Sequence, residues 1–212
     1  MNKFAALFDL DGVLIDTEGV YSDFWDSVNR RFPTGIDNFS QSIKGSTLQR
    51  ILDNNFAPET HDTIRQMVID LERDMTYKIY DGVTDMLERL RSAGFAMAIV
   101  TSSSDKKMDR LFAQHPALRD YFDVVITDRF VTRSKPDPQG YLMAAEMVKC
   151  TPEDSFVFED SLSGLEAGRR SGATVVGLAT TNPRDVVKEK ADLVVDDFVG
   201  LTVADLLALK GR

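Results

Sequence analysis

FAALFDLDGV, residues 4–13, decides how this chain folds. Five apolar residues in a row suit a short strand covered on both faces, the situation of a strand in a parallel sheet between helical layers. The run then meets two aspartates one residue apart, Asp9 and Asp11, and a glycine, Gly12, at which the chain can turn. Open α/β sheets hold their ligands in the crevice outside the carboxyl ends of the strands. Two carboxylates brought together there call for a cation between them.

Outward from that stretch, five further runs read as strands: FAMAIV (95–100), VVIT (124–127), FVFE (156–159), TVVGL (174–178) and DLVV (192–195). Helical patterns lie between them. Val83, Met86, Leu87 and Leu90 recur at i, i+3, i+4 and i+7, and the pattern stops at Gly94, directly before FAMAIV. GLEAGRRSGATVVGL repeats that design, with its stop at Gly172. The alternation predicts an α/β fold, a Rossmann-like parallel sheet core. Residues 17–79 break it. They show no strand pattern but helical ones at 18–31, 46–55 and 59–77, the last with Ile64, Met67, Val68, Leu71 and Met75 in one stripe. Connections in compact α/β units are short, so the segment reads as an inserted helical cap domain (17–79) in a core domain made of 1–16 and 80–212. Placed after the first strand, it would cover the crevice as a lid.

At 212 residues the chain has length for about 1.4 domains, and 43% hydrophobic with 28% charged residues excludes an intrinsically disordered chain. The balance of 25 basic to 34 acidic residues, a formal charge of −9, predicts neither a nucleic-acid nor a membrane partner. A local metal ion can still bring a phosphate ester to an acidic protein. Cys150 stands alone, which permits no internal disulfide, and is read as an inert thiol. His61 and His115 are read as helix-surface residues, which leaves no zinc site. No signal peptide is expected in MNKFAALFDLDG, and no stretch approaches the roughly 20 apolar residues of a membrane span. A soluble cytoplasmic monomer is the expectation.

More chemistry gathers at the other strand ends. FVFED closes in Glu159 and Asp160, and an all-oxygen ligand set favours Mg²⁺ over zinc. FAMAIV runs into TSSS, which offers the hydroxyls of Thr101 and Ser102 with several backbone amides. After VVIT comes SKPDP, where the proline stiffens the turn that presents Lys135. Carboxylates for a metal, hydroxyls and amides for phosphate oxygens and a balancing lysine are what phosphoryl transfer requires. Ser161 is read as the cap of the following helix, Gly164 and Gly168 as small residues for close packing, and Asp137 as a cap for the helix after Pro138.

Taken in order, FDLDGV, VTSS, SKPDP and FEDSLSGLEAG resemble the four signature motifs of the haloacid dehalogenase (HAD) superfamily, and the chain is similar to its β-phosphoglucomutase-like branch over almost its whole length. The resemblance implies a core with the first strand central and a helical cap after the first motif. It implies that Asp9 is the nucleophile that becomes an aspartyl phosphate and Asp11 the general acid and base. Mg²⁺ would be held by the Asp9 carboxylate, the Asp11 backbone carbonyl and Asp160, with Glu159 at the metal or just beyond it. Thr101 and the Ser102 amide would bind the transferring phosphoryl group, and Lys135 would neutralise Asp9 and phosphate together. In the cap, IKGSTLQR (43–50) falls at a substrate-facing loop, making Lys44, Gly45 and Ser46 substrate-binding candidates, with Glu18 at the hinge. Tyr21 stands where a mutase would have histidine, and Leu48 where a sugar-phosphate arginine would lie. Phe24 and Trp25 are read as cap core. The expectation is a Mg²⁺-dependent phosphatase acting on a small phosphorylated metabolite, a sugar or polyol phosphate. A hexose phosphate mutase is the alternative. A receiver-like phospho-acceptor domain comes third, because it would carry its aspartate on a middle strand and have no cap.

Overall fold

A computed structural model describes residues 4–211. Six parallel strands form one sheet in the order β5-β4-β1-β6-β7-β8, where β1 is Ala5–Phe8, β4 Ala96–Val100, β5 Val124–Ile126, β6 Ser155–Glu159, β7 Thr174–Leu178 and β8 Leu193–Val195. These are the six apolar runs of the sequence, each displaced by no more than one residue at an end. Eleven α-helices lie among the described residues: α1 Glu18–Arg31, α2 Phe39–Ser42, α3 Leu48–Asn55, α4 His61–Asp74, α5 Val83–Ser92, α6 Asp105–Gln114, α7 Pro116–Arg119, α8 Gln139–Met147, α9 Leu162–Ser171, α10 Arg184–Lys188 and α11 Val203–Leu209. None is long and apolar enough to cross a membrane.

The period-2 alternation of a strand divides the sheet's side chains between two buried faces. Ala6, Phe8, Ile99, Phe156 and Phe158 fill one, where the rings of Phe8 and Phe158 stack with centroids 4.5 Å apart. Ala5, Leu7, Ala98, Val100 and Val157 fill the other, against Tyr141, Ala144 and Ala145 of α8. Small residues on β1 and β4 let that helix lie close. β1 pairs with β4 and β6 in register, so Phe8 is level with Ile99 and Phe158. The residues that follow these strands therefore emerge at one edge, and the site is built there.

Between Asp16 and Lys78 the chain leaves the sheet and forms a second apolar cluster in which Trp25, Phe39 and Phe56 pack edge-on or stacked. Phe24 meets Trp25 edge-on, as read for cap core. Several boundaries differ from the sequence reading: α3 begins at Leu48 and not at 46, α4 begins at His61 after a 3₁₀ turn over Pro58–Thr60, and α2 was not expected. The helix expected over 59–77 ends at Asp74, and Lys78–Ile79 is a short strand, β3, paired antiparallel with β2, Ile15–Asp16. The apolar stripe does not stop there, but the backbone does. Met75 turns extended, and the fully buried Tyr77 accepts no further helix: its N–H donates to Gln114 Oε1 at 3.0 Å and its hydroxyl to the Glu72 carbonyl at 3.0 Å. The β2/β3 pair places the outgoing and returning chain side by side.

Candidate active site

Lys135 is the centre of the site's charge. It leaves the loop after β5, joined to Pro136 by a cis peptide, and its buried Nζ donates to Asp9, to Glu159 Oε1 at 2.5 Å and to the Val100 carbonyl at 3.2 Å. Tyr141 adds its hydroxyl to the same Glu159 oxygen at 2.9 Å. The other oxygen of Glu159 accepts the N–H groups of Asp160 and Ser161 and the Ser161 hydroxyl, each at 3.0 Å. Five donors fill the lone-pair directions of that carboxylate. Glu159 was expected at the metal or just beyond it. Both of its oxygens are engaged, one with the lysine and one with the β6–α9 turn. Ser161 also accepts the Gly164 N–H at 3.1 Å, the expected cap of α9.

Burial pushes the Asp9 carboxyl from its ordinary 3.8 to about 8, with Glu159 adding to the rise and Lys135 opposing it. Asp160 is likewise raised well above the ordinary range, by burial first and then by the charges of Glu159 and Asp9. One lysine among three enclosed carboxylates leaves an excess of negative charge. Single oxygens of Asp9, Glu159 and Asp160 lie within 4.8 Å of one another, and Asp160 Oδ1 is buried with no hydrogen-bond partner. An orphaned buried oxygen in an all-carboxylate group is the donor set of a hard divalent cation, so the residues present fit Mg²⁺. Gly12 makes room for the Asp160 carboxylate. Its φ of +76° is left-handed, and a Cβ there would run into the Asp160 carboxylate.

Asp11 was expected to share in the metal group. Its carboxylate is elsewhere. Lys107 Nζ donates to both oxygens, at 2.5 and 2.7 Å, Ser103 Oγ donates at 3.0 Å, and the Thr17 hydroxyl donates as well. Burial raises this carboxyl, but the Lys107 charge and the donated hydrogen bonds outweigh it and bring Asp11 below the ordinary range. Only its backbone carbonyl remains for the metal role that the resemblance implies. Sequence reading missed Lys107. It follows Lys106 near the start of an amphipathic helix, where a lysine pair ordinarily faces water, and nothing in SSSDKKM separates the buried one from the exposed one.

A cavity of about 520 Å³ opens above Asp9, lined from the core by Asp9, Asp11, Thr101, Ser102 and Asp160 and from the insertion by Glu18, Lys44, Gly45 and Ser46. All the expected site residues except Lys135 and Glu159, which lie behind its floor, therefore border one space. Lys44 pairs with Glu18 at 2.5 Å. The backbone beside it docks on the core: the Lys44 carbonyl accepts the Ser163 hydroxyl and the Gly45 carbonyl the Ser102 hydroxyl, both at 2.7 Å. Ser102 thus uses its side chain on the insertion. Thr101 is buried, its Oγ1 accepting the Ser103 N–H at 3.0 Å. Asp137 accepts the Gln139 N–H at 3.0 Å and pairs with Arg133, as a helix cap and not a partner of Lys135. Cys150 and both histidines lie away from this cavity. Burial raises the Cys150 thiol, which keeps it protonated.

The profile of the haloacid dehalogenase-like hydrolases matches residues 6–178. Validoxylamine A 7'-phosphate phosphatase of Streptomyces hygroscopicus subsp. limoneus is 30% identical, over 91% of this chain and 93% of its own. A phosphorylated carbohydrates phosphatase of Thermotoga maritima is 31% identical, over 79% and 81%. Among solved structures, a β-phosphoglucomutase from Clostridium difficile superposes with a TM-score of 0.81 at 25% identity, over 100% of this chain and 98% of that one.

Proposed function

This chain belongs to the haloacid dehalogenase-like hydrolase family, and from that membership and the surroundings of Asp9 we propose that it is a Mg²⁺-dependent phosphatase of a small phosphorylated metabolite, a sugar or polyol phosphate. The observation that carries this reading is the enclosed Asp9–Lys135–Glu159 group at the floor of a cavity roofed by the insertion. A carboxylate attacking an anionic ester must overcome like-charge repulsion, which in an enclosed site amounts to several kcal/mol, on the order of 4 at 4 Å with an effective dielectric of 20. Lys135, already bonded to Asp9, offsets part of it. Asp9 and Asp160, with the Asp11 carbonyl, would hold Mg²⁺, and the bound ion supplies further positive charge for the phosphoryl oxygens.

In the first step an Asp9 oxygen bonds phosphorus as the ester P–O bond breaks. The electron pair stays on the departing oxygen, which takes a proton from Asp11. Since Lys107 and the donated hydrogen bonds favour the ionised carboxylate, Asp11 must gain that proton and give up one of those contacts as substrate binds. In the second, water bonds phosphorus, gives a proton to Asp11, and the Asp9–phosphorus bond returns its electrons to the carboxylate. Thr101 and the Ser102 amide hold the phosphoryl oxygens through both. Lys44, Gly45, Ser46 and Glu18 face the departing group, and closure of residues 17–79 over the core residues 1–16 and 80–212 keeps bulk water out. The lone cysteine suits a reducing, cytoplasmic setting, and we take the working unit to be the monomer.

The likeness to a β-phosphoglucomutase favours a second reading, transfer of the phosphoryl group back to a sugar. Three side chains weigh against it. Leu48 lines the cavity at the start of α3, and the arginine of that helix, Arg50, points its guanidinium at the Ser134 and Lys135 carbonyls instead. Tyr21 is engaged with Lys107 and Glu72. Incubating the purified chain with a panel of phosphate esters, with Mg²⁺ or with a chelator, tests the proposal. Metal-dependent release of inorganic phosphate is expected. Conversion of sugar 1-phosphate to 6-phosphate without release would reverse the ranking, and labelling by acetyl phosphate without turnover would favour a receiver.

A further inference from the structure

Lys107 belongs to none of the four motifs, yet its ammonium group is enclosed completely and spent on a single acid, Asp11. Withdrawing an ammonium group from water costs several kcal/mol, which a solvent-facing lysine on the same helix would not incur. The geometry around it is that of a clamp. Four separate segments meet on one carboxylate: Asp11 itself from the turn after β1, Thr17 from the path into the insertion, Ser103 from the turn after β4, and Lys107 from α6. Tyr21 of α1 lies with its ring centroid 4.4 Å from the ammonium nitrogen and sends its hydroxyl to Glu72 Oε1 at 3.0 Å, so the clamp is backed from the insertion too. Each aspartate of the first motif has its own lysine, Lys135 for Asp9 and Lys107 for Asp11.

We propose that Lys107 is a positioning residue for proton transfer: with Ser103 and Thr17 it holds the ionised Asp11 at the angle from which it takes a proton from the attacking water, and one of these contacts gives way when Asp11 carries a proton to the departing oxygen. The assignment rests on the phosphatase reading above. A residue that merely fills space in α6 has no reason to affect one half-reaction more than the other. A clamp on Asp11 has such a reason, because the two halves depend on Asp11 unequally when the departing group is varied. A nitrophenolate leaves as a stable anion and takes no proton in the first half-reaction. Water must still lose one in the second.

The experiment uses the full chain with Mg²⁺ and p-nitrophenyl phosphate in stopped flow, with glycerol 1-phosphate as the alkyl comparison. For Lys107→Met we expect a burst of about one nitrophenol per active site, then steady turnover slower than the original chain by about a hundred-fold or more, the range of a lost general acid–base contribution. The alkyl ester slows at least as much and shows no burst of released alcohol. Lys107→Arg, which keeps a charge and paired donors, recovers part of the steady rate. Since Lys107→Met leaves an enclosed carboxylate without its cation and can unfold the chain, Ser103→Ala serves as the milder variant, with the same split at about three- to ten-fold, one hydrogen bond's worth. Equal slowing of burst and steady phases in both variants, or no change in either, overturns the assignment. An original chain that releases phosphate from neither ester overturns the phosphatase reading itself, and the assignment with it.

Discussion

Gly164 passes so close to Glu159 that a methyl group in its place would occupy the carboxylate. The glycine lies in the first turn of α9, three residues beyond the cap Ser161, and the carboxylate it accommodates carries Lys135 on one oxygen and the β6–α9 turn on the other. Gly164→Ala is expected to cost about 1–3 kcal/mol of stability, the usual range for overpacking, and to disable the site beyond that loss by displacing the lysine. Denaturant unfolding and a steady-state assay on the refolded variant check both parts. Unchanged activity in a fully folded variant would show that Glu159 can move without consequence.

Asp9→Asn retains the size of the side chain and removes the nucleophile. It should abolish phosphate release while the melting temperature without metal changes little, because the raised carboxyl is already protonated below about pH 8 and the amide is likewise neutral. Mass spectrometry of trapped enzyme should show an added phosphoryl group on the original chain and none on the variant. Turnover by the variant at the original rate would reject Asp9 as the attacking group.

The acidic group ties stability to both pH and metal. Asp9 is raised from 3.8 to about 8, chiefly by burial, and Asp160 is raised by the same cause. The folded chain without metal therefore keeps protons that the unfolded chain has released, and its stability falls as pH rises from about 4 toward 8. Mg²⁺ binds the ionised carboxylates, so the increase in melting temperature on adding MgCl₂ should be larger at about pH 8 than at about pH 5. Thermal scans with MgCl₂ and with a chelator at the two pH values measure this. A metal effect of the same size at both would place the ion elsewhere.

Arg50 Nη1 reaches the carbonyls of Ser134 and Lys135, both at 3.4 Å, and the Thr47 and Ser134 hydroxyls meet at 3.1 Å. These contacts tie α3 to the loop that carries the lysine. Arg50→Ala should lower kcat/KM about three- to ten-fold, the net worth of an ordinary hydrogen bond, and make the chain easier to cleave near residues 16 and 78. Arg73→Ala, on the exposed end of α4, serves as the control. Equal behaviour of the two variants would leave docking of α3 without influence on turnover.

Much of this was legible in the chain because β1, β4 and β6 lie between helical layers and so read as apolar runs, each closing in polar residues or followed at once by them. What could not be read depends on long-range contact. The strands β2 and β3 are two residues each and carry no period. The end of α4 is set by where Tyr77 finds its partners in the core. Lys107 and Lys106 are alike in sequence, and only the approach of Asp11, 96 residues away, distinguishes them. The occupied state of Glu159 is equally invisible, since its donors come from residues 135 and 141 as well as from its own turn.

The narrow ribbon of Ile15–Asp16 against Lys78–Ile79 sends the chain out of the sheet and takes it back through one doorway. Whatever is strung between those two points begins and ends in the same place, so its length and helix count can change without shifting a single strand of the sheet or any acid at its edge. Selectivity and bond-making chemistry are thereby carried by parts that can be altered separately, and a new preference can arise by exchanging the roof while the hearth stays as it was.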